Sequence, residues 1–506
     1  MMRRTALPAR RRCRGFSSLP ALSASLSDPQ LLRTQCYVDG KWCGGGGLEV
    51  LDPASGAAIA SVPDVGAAEA ERAVRAAHAA GGAWGRSLAK DRAAVLERWF
   101  DLLVAHQDDL AQIMTAECGK PLAESRGEVA YGAAFLKWFA EEARRSGGDV
   151  IPQPADGRRL VTLKQPVGVS ALITPWNFPV AMITRKVGPA LAAGCTVVIK
   201  PAEETPLSAL AVVELGVRAG VPAGVVNVVT ASRANAPAVG TVLAEHELVR
   251  KLSFTGSTAV GKRLMAQCAS TVKRVSLELG GNAPFIVFDD ADIEKAVTGL
   301  VACKFRNSGQ TCVSANRVYV QRGVYDAFAS QLRERVEAMK AGPGVGEGVT
   351  IGPLINSAGL QKARAHVDDA VAKGAQVLCG GSLLPELGEN FMAPTVLGGV
   401  TQEMSVAQEE TFGPVAPLFC FDTEEEVIAM ANDTPAGLAG YFYSRDVGRV
   451  FRVAEALECG MVGVNEGIIS TEVAPFGGIK ESGLGREGAR DGLSEFQEVK
   501  YVCIGL

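Results

Sequence analysis

The segment Phe305-Arg306-Asn307-Ser308-Gly309-Gln310-Thr311-Cys312 places one cysteine at the end of a polar, glycine-containing loop behind a helical pattern. A thiol so placed can act as a nucleophile: as thiolate it attacks a carbonyl carbon and leaves it as a thioester. Releasing that thioester takes a second group that activates water. Glu278, in Leu277-Glu278-Leu279-Gly280-Gly281-Asn282, is of the right type for the base. The oxyanion formed on attack needs donors. Asn177, between the prolines of Thr174-Pro175-Trp176-Asn177-Phe178-Pro179, can supply one, and the backbone amide of Cys312 another. Taken singly, each has a plainer reading, as a buried small hydrophobe, a paired acid and a turn residue.

These groups are far apart in sequence, so the fold must bring them together. From 167 to 269, β-branched runs (167–173, 196–199, 225–229, 251–254) alternate with helical patterns, which predicts βα units of a parallel, doubly wound sheet. Nucleotides bind at the carboxyl ends of such strands. Lys200-Pro201-Ala202-Glu203 falls at one such end. Lys200 can donate to a ribose, and Glu203 can accept from a 2′-hydroxyl while repelling a 2′-phosphate, which favours NAD over NADP. A solvated charged loop is the alternative. Gly256, Ser257 and Gly261, in a strand–turn–helix run, offer free amides and a hydroxyl to a pyrophosphate. The same residues also suit an ordinary N-cap.

Helical periodicity over 69–80, 91–118 and 131–146 predicts helices covering the sheet, and 151–165 reads as a hairpin turning at Asp156-Gly157. A second set of strands and helices begins at 285. The β-prone run 498–504 has no evident partner in either set, so pairing with a neighbouring subunit is expected. The expected organisation is a nucleotide-binding domain over 28–148 and 167–284, a catalytic domain over 285–484, and an oligomerisation element of 149–166 and 485–506.

Composition narrows the function. The chain has 506 residues, 47% hydrophobic and 21% charged, with a formal net charge of -4 that offers nucleic acid no broad cationic surface. No apolar run is long enough to span a bilayer. Twelve cysteines without a CxxC pair and four dispersed histidines suggest free thiols and no metal. Residues 1–27 hold six arginines and five serines and no acid, the composition of a mitochondrial transit peptide, and are expected to stand outside the fold. The matrix is the expected compartment.

Together, Pro175-Trp176-Asn177-Phe178-Pro179, the Lys200 tetrapeptide, the Gly256 turn, Glu278-Leu279-Gly280-Gly281, Gly309-Gln310-Thr311-Cys312, Glu410-Thr411-Phe412-Gly413-Pro414 and Pro475-Phe476-Gly477-Gly478 resemble the aldehyde dehydrogenase superfamily from about residue 37 onward. The resemblance implies that Cys312 attacks an aldehyde, that hydride passes to NAD and that Glu278 directs water onto the thioester. It implies further that Thr174, Pro175, Trp176 and Glu410 contact the cofactor, Phe412 packs near the nicotinamide, and subunits form dimers or tetramers, with a homotetramer expected. Within the superfamily, 183–188, 305–307 and 464–470 look most like members acting on succinate semialdehyde. A carboxylate at the far end of that substrate suits Arg185 and Arg306, with the Ser470 hydroxyl as a further donor. An ion pair is the structural alternative for Arg185. Animal members of that group carry a second cysteine two residues after the nucleophile. Here Ser314 stands there, which argues against a local disulfide switch.

Overall fold

The computed structural model describes residues 18–506. Its largest sheet runs, edge to edge, through Lys41–Cys43, Cys36–Val38, Val226–Val228, Thr196–Lys200, Val169–Ile173, Val249–Thr255, Arg274–Glu278 and Gly483–Leu484. The five central strands are parallel, and short antiparallel strands close both edges. The β-branched runs give these central strands their near-continuous burial, as a sheet covered on both faces requires. From Val169–Ile173 the chain winds outward through two strands, then returns to lay Val249–Thr255 on the opposite side. The direction of winding therefore reverses between Ile173 and Thr255, and the loops leaving those strands open a crevice there.

A second sheet orders Gln376–Cys379, Thr395–Gly398, Val415–Phe421, Ala315–Gln321, Ala283–Val287, Ala439–Tyr443 and Met461–Val464, parallel except at its first strand. The nucleophile loop enters this sheet just before Ala315. The architecture is thus α/β with two mainly parallel sheets.

Four expectations need correction. The pattern over 91–118 breaks at His106 into Ala89–Ala105 and Gln107–Cys118, and the second helix presents Asp109 to the amides of Ser27 and Asp28 at 2.8 and 2.9 Å. The C-terminal run finds its partner within the chain: Gln497–Gly505 pairs antiparallel with Arg158–Pro166 along its whole length, and Val150–Ile151 flanks the other side. Two nine-residue strands of equal length satisfy one another's ladder, which sequence reading could not pair across more than 300 intervening residues. Residues 485–496 do not belong with that small sheet, since Leu493 and Phe496 lie in the main core. Finally, residues 1–17 lie outside the described residues, but the rest of the expected leader does not stay outside the fold. Leu19–Ser25 is a helix capped by Ser18, and Leu22 is fully buried in the main core.

Leu22→Ala should therefore lower stability by about 2–4 kcal/mol, the range for truncating a buried leucine. A shift of that size in the urea midpoint of unfolding checks it, and an unchanged midpoint would detach this helix from the core.

Candidate active site

The helix Ile293–Phe305 starts at Asp292, whose carboxylate accepts from the Lys295 amide at 3.2 Å. It ends in an uncommon reversal. Asn307, Ser308 and Gly309 are all left-handed, with φ of 50, 56 and 75°. At Gly309 a Cβ would lie 2.1 Å from the Gly413 carbonyl oxygen, so only glycine lets this loop meet the 410–413 loop so closely. Non-glycine residues adopt such angles only where surroundings hold them. Here Glu124 accepts from the Asn307 amide at 2.8 Å, Asn307 Nδ2 donates to the Asn177 carbonyl at 3.0 Å, and the Ser308 hydroxyl donates to the Gly352 carbonyl at 2.9 Å. Gln310 closes the loop, donating to the Asn307 carbonyl at 3.0 Å and accepting from the Ile355 amide at 2.9 Å. The result is a rigid turn with Cys312 at its head, partly exposed, three residues before its strand.

Burial pushes the Cys312 thiol up to about 12. The charges acting on it are Arg185 and Arg306, which lower it, and Glu278 and Glu410, which raise it. Four of the residues selected from sequence thus converge electrostatically on one sulfur.

Glu278 ends the strand Arg274–Glu278, and its carbonyl accepts from the Gly256 amide at 3.0 Å, extending the ladder to the neighbouring strand. Both of its carboxyl oxygens are buried without a hydrogen-bond partner. Burial raises its pKa well above the usual carboxylate range, and Glu487 raises it further, against Arg185 and Lys186. An unpartnered carboxyl of raised pKa is suited, once ionised, to taking a proton from water. Asn177 is buried. Its Nδ2 spends one proton on the Gln310 carbonyl at 3.0 Å and keeps the second, while its backbone carbonyl is held by Lys120 at 2.7 Å and by Asn307. Lys120 is itself paired with buried Glu128, which accepts from the Val180 amide at 2.9 Å at the start of the next helix.

The cofactor candidates line the crevice. The Thr174 amide donates to the Lys200 carbonyl at 3.2 Å, its hydroxyl is buried and free, and half-buried Pro175 and Trp176 follow. Lys200 Nζ lies 3.6 Å from the Glu203 carboxylate, with burial lowering the lysine pKa. Ser257 precedes the helix Thr258–Cys268 without its hydroxyl serving as a cap, so that hydroxyl and the first-turn amides stay available. Trp176 and Phe412 stand edge to face at 5.6 Å. Glu410 accepts from the Gly281 amide at 3.1 Å, and burial pushes its pKa up to about 7. These groups fit a dinucleotide: free donors where phosphates would lie, an acid beside a ribose position, and aromatic faces for a ring. Gly261, in the first turn of that helix, also packs closely: a Cβ there would come within 2.4 Å of the Leu279 side chain.

Arg185 comes with a partner. Its guanidinium pairs with buried Glu487, whose other oxygen takes Lys186, and it lies over the Phe476 ring at 4.3 Å. The ion pair that served as the structural alternative is therefore present. Arg306 forms no ion pair among the described residues. It stacks on Phe178 at 5.2 Å, with Nε buried and unbonded. Ser470 is half-buried on the loop after Met461–Val464, and no described contact ties it to the arginines. Sequence reading missed Glu487, Lys186, Lys120 and Glu124. Only Lys186 carried a signal, one residue from Arg185 on a helix otherwise apolar.

The model of the aldehyde dehydrogenase family matches residues 42–502. Among relatives, a glutarate-semialdehyde dehydrogenase of Pseudomonas putida and the NADP-named succinate-semialdehyde dehydrogenase GabD of Escherichia coli are each 59% identical over 95% of this chain and 100% of theirs. A mitochondrial succinate-semialdehyde dehydrogenase of Homo sapiens is 55% identical over 98% of this chain and 92% of its own. A crystal structure of succinate-semialdehyde dehydrogenase from Burkholderia pseudomallei superposes with a TM-score of 0.93 at 57% identity, covering 95% of this chain and all of that one.

With the thiol's pKa pushed far above neutrality, alkylation of Cys312 by iodoacetamide in the cofactor-free protein should accelerate about tenfold per pH unit between pH 7 and 10. Arg185→Met removes the leading charge that lowers the thiol and should slow the reaction at every pH in that range. A rate already flat at pH 7 would mean that the sulfur is ionised at rest.

Proposed function

The chain belongs to the aldehyde dehydrogenase family, and on that premise we propose that it oxidises succinate semialdehyde to succinate with NAD, in the mitochondrial matrix and as a homotetramer. The observation that carries the reading is the buried Glu278 carboxyl and Arg306 Nε, both left without a hydrogen-bond partner, beside a thiol on which Arg185, Arg306 and Glu278 all act. A nucleophile, a base and two cations in one site fit an aldehyde that bears an anion at its other end.

Cys312, as thiolate, forms a C–S bond to the aldehyde carbon, and the carbonyl electrons move to oxygen. The second proton of Asn177 Nδ2 and the Cys312 amide donate to that oxyanion. NAD, when bound, supplies the acceptor for the hydride that leaves the carbon. The C=O bond then reforms as a thioester. Glu278, as carboxylate, takes a proton from water as the oxygen attacks. The C–S bond breaks, and succinate and the thiolate are released. The raised pKa values of Glu278 and Cys312 set the sign of the pH dependence: both act deprotonated, so turnover should climb from neutral into alkaline pH.

Arg185 and Arg306 form a bidentate receptor for the distal carboxylate, with Ser470 as a further donor. Glutarate semialdehyde is the second reading, favoured by the identity to the Pseudomonas putida relative. The two substrates differ by one methylene, which a pocket distinguishes by only about 1–3 kcal/mol. Glu203 supports NAD through repulsion of a 2′-phosphate. The arginine-rich leader and the human relative support the matrix, and because Leu22 is a core residue, the processing cut belongs before Ser18. Exposed Val150, Val499 and Tyr501 on the small three-stranded sheet support self-association.

Arg306→Ala should lower kcat/KM for succinate semialdehyde roughly thirtyfold or more, the effect of removing one partner of a desolvated charge pair, and leave butanal within about threefold. An unchanged ratio of the two rejects the anion receptor. Glu203→Gln should raise kcat/KM with NADP relative to NAD, and equal use of both cofactors by the parent enzyme would reject the assigned preference.

A further inference from the structure

Tyr131 stands on the helix Leu122–Ala143 with its ring edge-on to Phe135 at 5.0 Å, and it packs on a small apolar cluster of Phe178, Ala181 and Met182. The same cluster carries both arginines of the proposed receptor. Arg185 Nη2 lies 3.0 Å from Met182 Sδ, and the Arg306 guanidinium lies over the Phe178 ring. The Tyr131 hydroxyl oxygen is sealed from solvent, with Arg185 beside it but no well-formed hydrogen bond, so its proton is uncommitted, and Arg306 Nε is buried and unbonded. Native proteins leave few buried polar atoms unpaired, and such atoms point to a ligand that satisfies them. Both guanidinium groups act on this phenol, countering the burial that raises its pKa.

We propose that Tyr131 is a specificity-determining residue whose hydroxyl donates to the distal carboxylate of the substrate, alongside Arg185 and Arg306. The inference rests on the reading of the substrate as a carboxylate-bearing aldehyde. A carboxylate offers about four acceptor positions, more than one guanidinium fork fills. A neutral phenol adds a donor without adding another buried charge. With an uncharged aldehyde the hydroxyl stays unpaired, so the site loses affinity for the wrong substrate as well as gaining it for the right one.

Tyr131→Phe keeps the ring and removes only the donor. Its KM for succinate semialdehyde should rise about tenfold or more, as for a lost hydrogen bond to a charged group, with kcat and the kinetics of butanal within about twofold. A purely structural hydroxyl would behave differently. Because this one makes no well-formed hydrogen bond in the ligand-free protein, the variant should melt no lower than the parent, while the rise in melting temperature that succinate gives the parent should shrink. A variant that keeps the parent's KM, or one that melts lower and loses activity toward both aldehydes alike, overturns the assignment of Tyr131 alone. A parent that does not prefer succinate semialdehyde over butanal overturns the carboxylate reading and the role of Tyr131 with it.

Discussion

Glu487 lies fully buried against the side chains of Arg185 and Lys186, two cations on consecutive residues of one helix. Without that carboxylate the helix would carry two uncompensated charges into the interior, and breaking such a buried set by deleting one partner typically costs about 3–5 kcal/mol. With it, Arg185 can be close enough to Cys312 and Glu278 to influence both, and Lys186 close enough to influence Glu278. The pairing is double-edged. Arg185 draws both the thiol and the Glu278 carboxyl toward ionisation, while Glu487 opposes the ionisation of Glu278. Burial is the largest influence on both groups, and Glu487, which takes no part in the chemistry itself, adds to it at Glu278.

The sheet explains why such distant segments meet. Thr174 and Gly256 follow strands on either side of the point where winding reverses, and Glu278 ends the next strand along, so three loops open into one crevice. Cys312 comes from the second sheet. The turn that carries it is tied back to the first by Asn307 donating to the Asn177 carbonyl and by Asn177 donating to the Gln310 carbonyl. These reciprocal bonds fix the position of the oxyanion donor relative to the nucleophile. Catalytic geometry of this kind tolerates little slack.

Much of this was legible in the sequence because it is local. β-Branched runs followed by helical patterns specify βα units, and a polar loop between helix and strand marks Cys312. What was not legible depends on partners far away in the chain. The home of Gln497–Gly505 is a strand about 340 positions earlier, and nothing in either segment names the other. Glu487 sits in a glycine-flanked stretch whose composition reads as surface, and only the fold carries it to Arg185. Gly261 shows how a motif position can carry a packing constraint that composition does not announce, here the close approach of the Leu279 side chain. The helix Leu19–Ser25 was hidden by the composition around it, because six arginines mask one leucine that fills the core.

The arginines assigned to substrate differ in what their removal would mean. Arg185 compensates Glu487, shares that acid with Lys186, and lowers the pKa of both the nucleophile and the base. Truncating it would leave a buried carboxylate beside Glu278 and push both catalytic groups further toward their neutral forms, so binding and chemistry would fall together. Arg306 holds no buried acid in an ion pair among the described residues, and its main contact is the face of Phe178. Its charge can be removed with far less disturbance to the proton balance. The two cations thus divide the work unequally: Arg306 is free to meet an anion, whereas Arg185 can do so only with the part of its guanidinium that Glu487 leaves open.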